Sequence, residues 1–220
     1  MPRSRRYILP NLPHHVFHRG NNKQNIFISE EDKLYFVKHL KNYANDNKVR
    51  IGAYCIMTNH FHLLLFPNDK DGFITLMKAA SQKYSQFFNK KYKRTGKIWE
   101  NRYKMNIVDP VSTWRVARYI ERNPVRAGIV DRAEEYIYSS AARHLKGERN
   151  DVITEDIIKQ NRSNYLLFFQ EQEADDEKEL NKLNEIIHQE KAIGSEVFLR
   201  MLKDKFNVNF SLMTRGRPKK

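Results

Sequence analysis

His60 and His62, separated by Phe61, put two imidazoles two residues apart in the run HFHLLLF (60–66), which reads as a strand. Side chains alternate along a strand, so both imidazoles share one face while Phe61, Leu63 and Leu65 take the other. The apolar set belongs on a core, which turns the imidazoles toward the opposite, open face. There, about 7 Å apart along the strand, two neutral rings can converge on one divalent ion. A helix would not serve, because i and i+2 point apart. Paired histidines beside an apolar strand also occur simply as edge residues in water, and spacing alone leaves both readings open. Zinc hydrolases use such a pair with further ligands close by, whereas here Leu63, Leu64 and Leu65 follow.

A second chemical element is Tyr119-Ile120-Glu121-Arg122-Asn123-Pro124. Tyr119 and Asn123 are four apart, hence on one helix face one turn from each other. A tyrosine oxygen attacks phosphorus when a metal polarises the phosphate and the oxygen is aligned. An Asn carbonyl oxygen suits a hard ion as a third ligand. The alternative is that Tyr119 packs its helix, as most of the 11 tyrosines must.

These residues need a frame. HHVFH (14–18) followed by Arg19-Gly20-Asn21-Asn22 reads as a strand entering a loop. Ser29-Glu30-Glu31-Asp32 resembles a helix start, and Leu34, Val37, Leu40 and Tyr43 continue it at helical spacing to about Asn45. RIGAYCIM (50–57) pairs with 60–66 through the tight turn Thr58-Asn59. Asp71-Gly72 opens a helix to about Tyr92, with Leu76, Ala80, Tyr84 and Phe87 on one face. Residues 102–108 form another strand. Pro110 and Ser112 start a helix that Pro124 ends near Asn123, and 139–145 is helical. This order predicts an α+β, ferredoxin-like (RRM-like) antiparallel sheet, with helices on one face and the other free for a ligand. A first domain is expected over 1–148, and a mostly helical extension with a basic tail over 149–220. Residues 170–190 carry eight acids and two lysines, the mark of a solvated helix or mobile segment.

Charge points to the partner. Forty Lys and Arg against 26 Asp and Glu give a net +14, and nine of those cations with one acid fall between Lys78 and Lys104. A field of this size attracts polyanions and speeds their encounter. One cysteine, Cys55, excludes an intramolecular disulfide and a Cys-rich zinc site. The basic start is broken by prolines and no run approaches the ~18 apolar residues of a membrane span, so a soluble, cytoplasmic protein without a membrane partner is expected.

AYCIMTNHFHLLL (53–65), preceded by HHVFHRGNNKQNIF (14–27) and followed by RYIERNPVRAG (118–128), resembles the single-tyrosine HUH transposases, and within them the REP-associated tyrosine transposase group. The likeness covers roughly 13–145 in three ordered motifs. WENRYK (99–104) and YSSAARHLKGE (138–148) are similar less closely. The resemblance implies that His60 and His62 hold a divalent ion, Mg²⁺ or Mn²⁺, and that Tyr119 is the nucleophile. Asn123 stands where the wider superfamily often has a Gln ligand, with a shorter reach. Thr58, where relatives often have an acid or proline, is a minor departure. The implied substrate is single-stranded DNA beside a palindromic hairpin, cut by transesterification to a 5′-phosphotyrosine, in a monomer or homodimer.

Arg19 and Asn21 at the end of the first strand, with Arg102, Lys104, Arg118 and Arg122, are candidate DNA contacts, each otherwise a solvated surface residue. Trp99, Tyr103 and Phe61 are candidate stacking rings or core. Arg215 and Arg217 in the tail RGRPKK resemble a minor-groove hook. Two other readings fit parts of the pattern. One is a relaxase or rolling-circle initiator with the same chemistry. The other is a ferredoxin-like nucleic-acid-binding module without catalysis, which needs neither His60 nor Tyr119.

Overall fold

Ser29 starts the first helix as the local sequence demands. Its hydroxyl accepts the Asp32 backbone N–H, and the Asp32 carboxylate accepts the N–H of Ser29 and of Ile28. The computed structural model describes residues 6–171 and 176–208. Over these, strands β1 (His14–Arg19), β2 (Val49–Ile56), β3 (His60–Pro67) and β4 (Lys104–Ile107) form one sheet in the order β2-β3-β1-β4, every pair antiparallel. With helices α1 (Glu30–Asp46) after β1 and α2 (Lys70–Lys91) after β3, this is the expected ferredoxin-like arrangement.

Helices α1 and α2 pack on the face that carries Phe61, Leu63 and Leu65. Phe36 stacks 4.8 Å from Phe61, and Tyr84 lies 4.7 Å from Phe27. The buried stripe of α1 is Phe36, Leu40 and Ala44, not the expected face through Leu34, which is 59% exposed. Two apolar faces share this helix, and the aromatic one wins the core. Phe61 and Trp99 are likewise core residues. Phe61 is fully buried, while Trp99 stacks on His18 at 4.2 Å and donates its indole N–H to the Ser81 carbonyl.

The face expected to be free is covered. Helix α3 (Thr113–Glu121), continued by the single turn α4 (Asn123–Arg126), lies over β2 and β3. Helices α5 (Ala141–Lys146) and α6 (Arg162–Gln170) flank it, α7 (Asp176–His188) runs against β4, and α8 (Glu196–Phe206) follows. The reason is in β3: Leu64 on the histidine face is as buried as Leu63 and Leu65 on the other, and a strand apolar on both sides needs cover on both. The acidic segment is more than a solvated helix, since Leu183 and Ile187 of α7 are buried. Among the described residues no helix is long and apolar enough to cross a membrane.

Asp32 ties α1 to α2. Its buried carboxylate also accepts hydrogen bonds from Lys91 Nζ and Tyr92 OH, both at 2.7 Å. Burial by itself raises its pKa, but the bonds from Lys91, Ser29, Tyr92 and Ile28 outweigh it and hold the carboxyl below its ordinary value. A folded pKa below the unfolded one contributes stability that is present above about pH 4 and is lost as pH falls toward the folded value. Asp32→Asn is expected to lower stability at pH 7 by about 2 kcal/mol. The gap from wild type should narrow in urea melts as pH falls below about 4, and a gap that stays constant there would refute the linkage.

Candidate active site

The β2–β3 turn is held by the loop after β1. Gly20 donates to the Asn59 carbonyl at 2.8 Å, and Ile26 and Phe27 both donate to the Thr58 carbonyl. This fixes the hairpin end at which His60 and His62 stand with ring centroids 5.1 Å apart. The Asn59 amide donates to the Lys23 carbonyl and its oxygen meets His60 Nδ1 at 2.6 Å.

From above, α3 brings in Tyr119 and the start of α4 brings in Asn123. The Tyr119 ring stands edge-on to His62 at 5.5 Å and to His15 at 6.0 Å. Arg126 lies 5.0 Å over its other side and donates to its carbonyl. As expected, α3 ends near Asn123, at Glu121, and Pro124 sits in the first turn of the next helix, α4, where its missing N–H matters least. That missing donor would have served the Ile120 carbonyl, and the Asn123 amide takes over. It donates to Ile120 at 3.2 Å and to Tyr119 at 2.8 Å. Both bonds use the amide nitrogen, so the Asn123 oxygen is left for the site, where its side chain hydrogen-bonds His60.

Burial sets the protonation states. His60 is lowered to about 4, first by desolvation and then by the Arg19 charge, against the bond from Asn123. It is therefore neutral near pH 7, with a lone pair to offer. Tyr119 is pushed up to about 12 by burial, only partly offset by Arg126, so its hydroxyl carries its proton. That hydroxyl donates to Asn184 Oδ1 on α7 at 2.7 Å. Two imidazoles and one amide oxygen make a donor set suited to a divalent ion whose remaining positions are filled by substrate or water. Among the described residues no group of three or more His, Cys, Asp and Glu forms a closed metal cage.

His60, His62, Tyr119 and Asn123 are thus brought together, and the basic candidates divide. Arg19 pairs with Glu100 at 2.7 Å and lies near enough to His60 to act on its charge. Lys104 pairs across β1 and β4 with Phe17, which in turn faces His62, so it shares their side of the sheet. Arg102 is exposed, and Asn21 occupies the loop after β1, its N–H on the Ile98 carbonyl. Arg118 and Arg122 are directed elsewhere. Arg118 is 5% exposed, donates to the Phe168 carbonyl at 2.6 Å and lies over the Phe168 ring, while Arg122 lies over Phe169. Both guanidiniums engage α6. Arg215 and Arg217 fall outside the described residues.

Residues 9–123, more than half of the sequence, match the model of the family described as Transposase IS200 like. The chain belongs to that family. A curated protein of Haemophilus influenzae, assigned as a REP-associated tyrosine transposase, is 27% identical over 142 residues, which are 56% of this chain and 80% of the relative. A solved structure described as a REP-associated tyrosine transposase bound to a REP hairpin superposes with a TM-score of 0.53 at 19% identity, covering 71% of this chain and 93% of that one. The family, one of DNA-cleaving transposases, and the likeness to its REP-associated group accord with what the ordered motifs lead one to expect.

Two members of the site were not singled out by the sequence, one outside every motif and one, His15, within the motif over 14–27. Asn184 lies 65 residues beyond Tyr119 on a segment marked only by its acids. His15 opens toward His62 from β1, and its one sequence signal is that it alternates in phase with Phe17 and Arg19.

Proposed function

We propose that this IS200-like transposase cleaves and rejoins single-stranded DNA beside a palindromic hairpin, with Tyr119 as the nucleophile. The observation that carries the reading is the convergence of His60, His62 and Asn123 with Tyr119 on one covered sheet face. The Tyr119 oxygen attacks the scissile phosphorus in line. An O–P bond forms to Tyr119, the bond from phosphorus to the 3′ oxygen breaks, and that oxygen leaves as a 3′-OH with a proton. The product is a 5′-phosphotyrosine, and a 3′-OH attacking it rejoins strands without ATP.

His60 and His62, with the Asn123 oxygen, are the residues to hold Mg²⁺ or Mn²⁺, which supplies Lewis-acid polarisation of a nonbridging phosphate oxygen when bound. Tyr119 enters the site protonated, and its proton leaves as the O–P bond forms. Asn184 aligns that proton but is too weak a base to keep it. Arg19, Asn21, Arg102 and Lys104 are the residues best placed to take DNA phosphates, and the Arg215–Arg217 tail is proposed as an accessory duplex contact. A hairpin partner is supported by the solved relative, which carries one.

The test incubates the full chain and Mn²⁺ or Mg²⁺ with labelled single-stranded hairpins taken from the flanks of its own gene. A denaturant-resistant protein–DNA adduct is expected, abolished by chelation and by His60→Ala. Tight, metal-independent binding with no adduct on any hairpin would replace this reading with that of a binding module.

A further inference from the structure

We infer that His15 is a positioning residue that dictates which nitrogen of His62 carries the proton and which carries the lone pair a divalent ion would use. The inference rests on the reading of His60 and His62 as metal ligands.

In the β1–β3 register His62 faces Phe17, which makes the in-phase His15 its diagonal neighbour, and the two rings lie nearly coplanar, 19° apart, with centroids 5.1 Å from each other. His15 Nε2 lies 2.9 Å from His62 Nδ1. On its other side His15 Nδ1 meets Asn106 Oδ1 at 3.4 Å, Asn106 being its partner across β4. The orientation of that amide is not free. Asn106 Nδ2 donates to the Lys191 carbonyl at 2.7 Å and to the Ile186 carbonyl at 3.1 Å, and a flipped amide would set its oxygen against two carbonyl oxygens.

Each proton then follows from the last. Asn106 presents an acceptor, so His15 Nδ1 carries the hydrogen and its Nε2 a lone pair. The single proton between the rings must come from His62 Nδ1. A neutral His62 protonated at Nδ1 has its lone pair on Nε2, the nitrogen through which it would bind a metal. The other histidine meets a comparable acceptor: Asn59, its amide nitrogen held by the Lys23 carbonyl, presents its oxygen to His60 Nδ1. Fixing the tautomer through the second nitrogen is how proteins orient metal-binding imidazoles. His15 is fully buried, so it reaches the reaction only through His62.

Two measurements test this on the full chain. The first reads the His62 tautomer in the metal-free wild type from long-range ¹H–¹⁵N correlation spectra. Protonation at Nδ1 is expected, and protonation at Nε2 would overturn the inference whatever the metal does. The second titrates Mn²⁺ into wild type, His15→Phe and His15→Gln. Phe keeps the ring and loses the acceptor, and weaker Mn²⁺ binding by about ten-fold or more is expected. Gln returns an acceptor oxygen near the Nε2 position and is expected to bind within about three-fold of wild type on the same basis. Mn²⁺ bound equally by wild type and His15→Phe would make His15 a packing residue and leave the ligand reading intact. A wild type that binds no Mn²⁺ would remove the ligand reading and this inference together. Should His15→Phe fail to fold, the wild-type tautomer and the His15→Gln titration still decide.

Discussion

Tyr119→Phe is expected to abolish the covalent DNA adduct, with strand transfer falling on the order of 10³-fold or more, as when a nucleophile is removed from an otherwise intact site. The change deletes one oxygen from a ring held edge-on between His62, His15 and Arg126, so the ring contacts survive. The folded state loses the 2.7 Å bond to Asn184, which costs about 1 kcal/mol and leaves the protein folded. Mn²⁺ and hairpin binding should therefore persist while the adduct disappears. Tyr84→Phe is the matched control. Its hydroxyl is buried between α1 and α2 on the opposite side of the sheet, bonded to the Ile26 carbonyl, and the adduct should form normally. An adduct that survives Tyr119→Phe and vanishes in Tyr84→Phe would sink the assignment.

Glu121→Ala is expected to destabilise the fold by about 3–4 kcal/mol, the range for removing one partner from a buried polar network. Glu121 is fully buried between the catalytic candidates Tyr119 and Asn123. One carboxylate oxygen accepts the Ser140 hydroxyl and lies at His144 Nδ1, and the other accepts the Tyr165 hydroxyl at 2.9 Å. These three donors come from the start of α5, from α5 and from α6, so one side chain fastens the helix that presents the nucleophile to two others. Alanine would strand all three donors in a dry interior. Urea unfolding should show the loss, with Glu121→Gln recovering part of it, and a cost under about 1 kcal/mol would mean that packing alone holds α3.

The elements from β1 to α2 were legible because their causes are local. A period of two, a period of 3.6, the Ser29–Asp32 cap and the Thr58-Asn59 turn each act within a few residues. Tyr119, Asn123 and the His pair were legible through the order of three motifs. The cover over the histidine face was not, although Leu64 beside Leu63 and Leu65 hinted at a strand buried on both sides. Arg118 and Arg122 resembled phosphate ligands in sequence, and only the packing of α6 against α3 turned them onto Phe168 and Phe169. His15 and His62 meet across 47 residues, and Tyr119 and Asn184 across 65. Contacts of that separation depend on the register of strands and the seating of helices, which no short pattern encodes.

The bond from Tyr119 to Asn184 carries a thermodynamic consequence. A phenol has one proton to donate, and here it is already given to α7. On the proposed reading, a DNA phosphate drawn up to that oxygen would compete for the same proton, so substrate and α7 would hold Tyr119 alternately. Such competition is reciprocal. Whatever factor α7 takes from the affinity of the site for its strand, the strand takes from the docking of α7. On that reading substrate occupancy is written into the stability of α7.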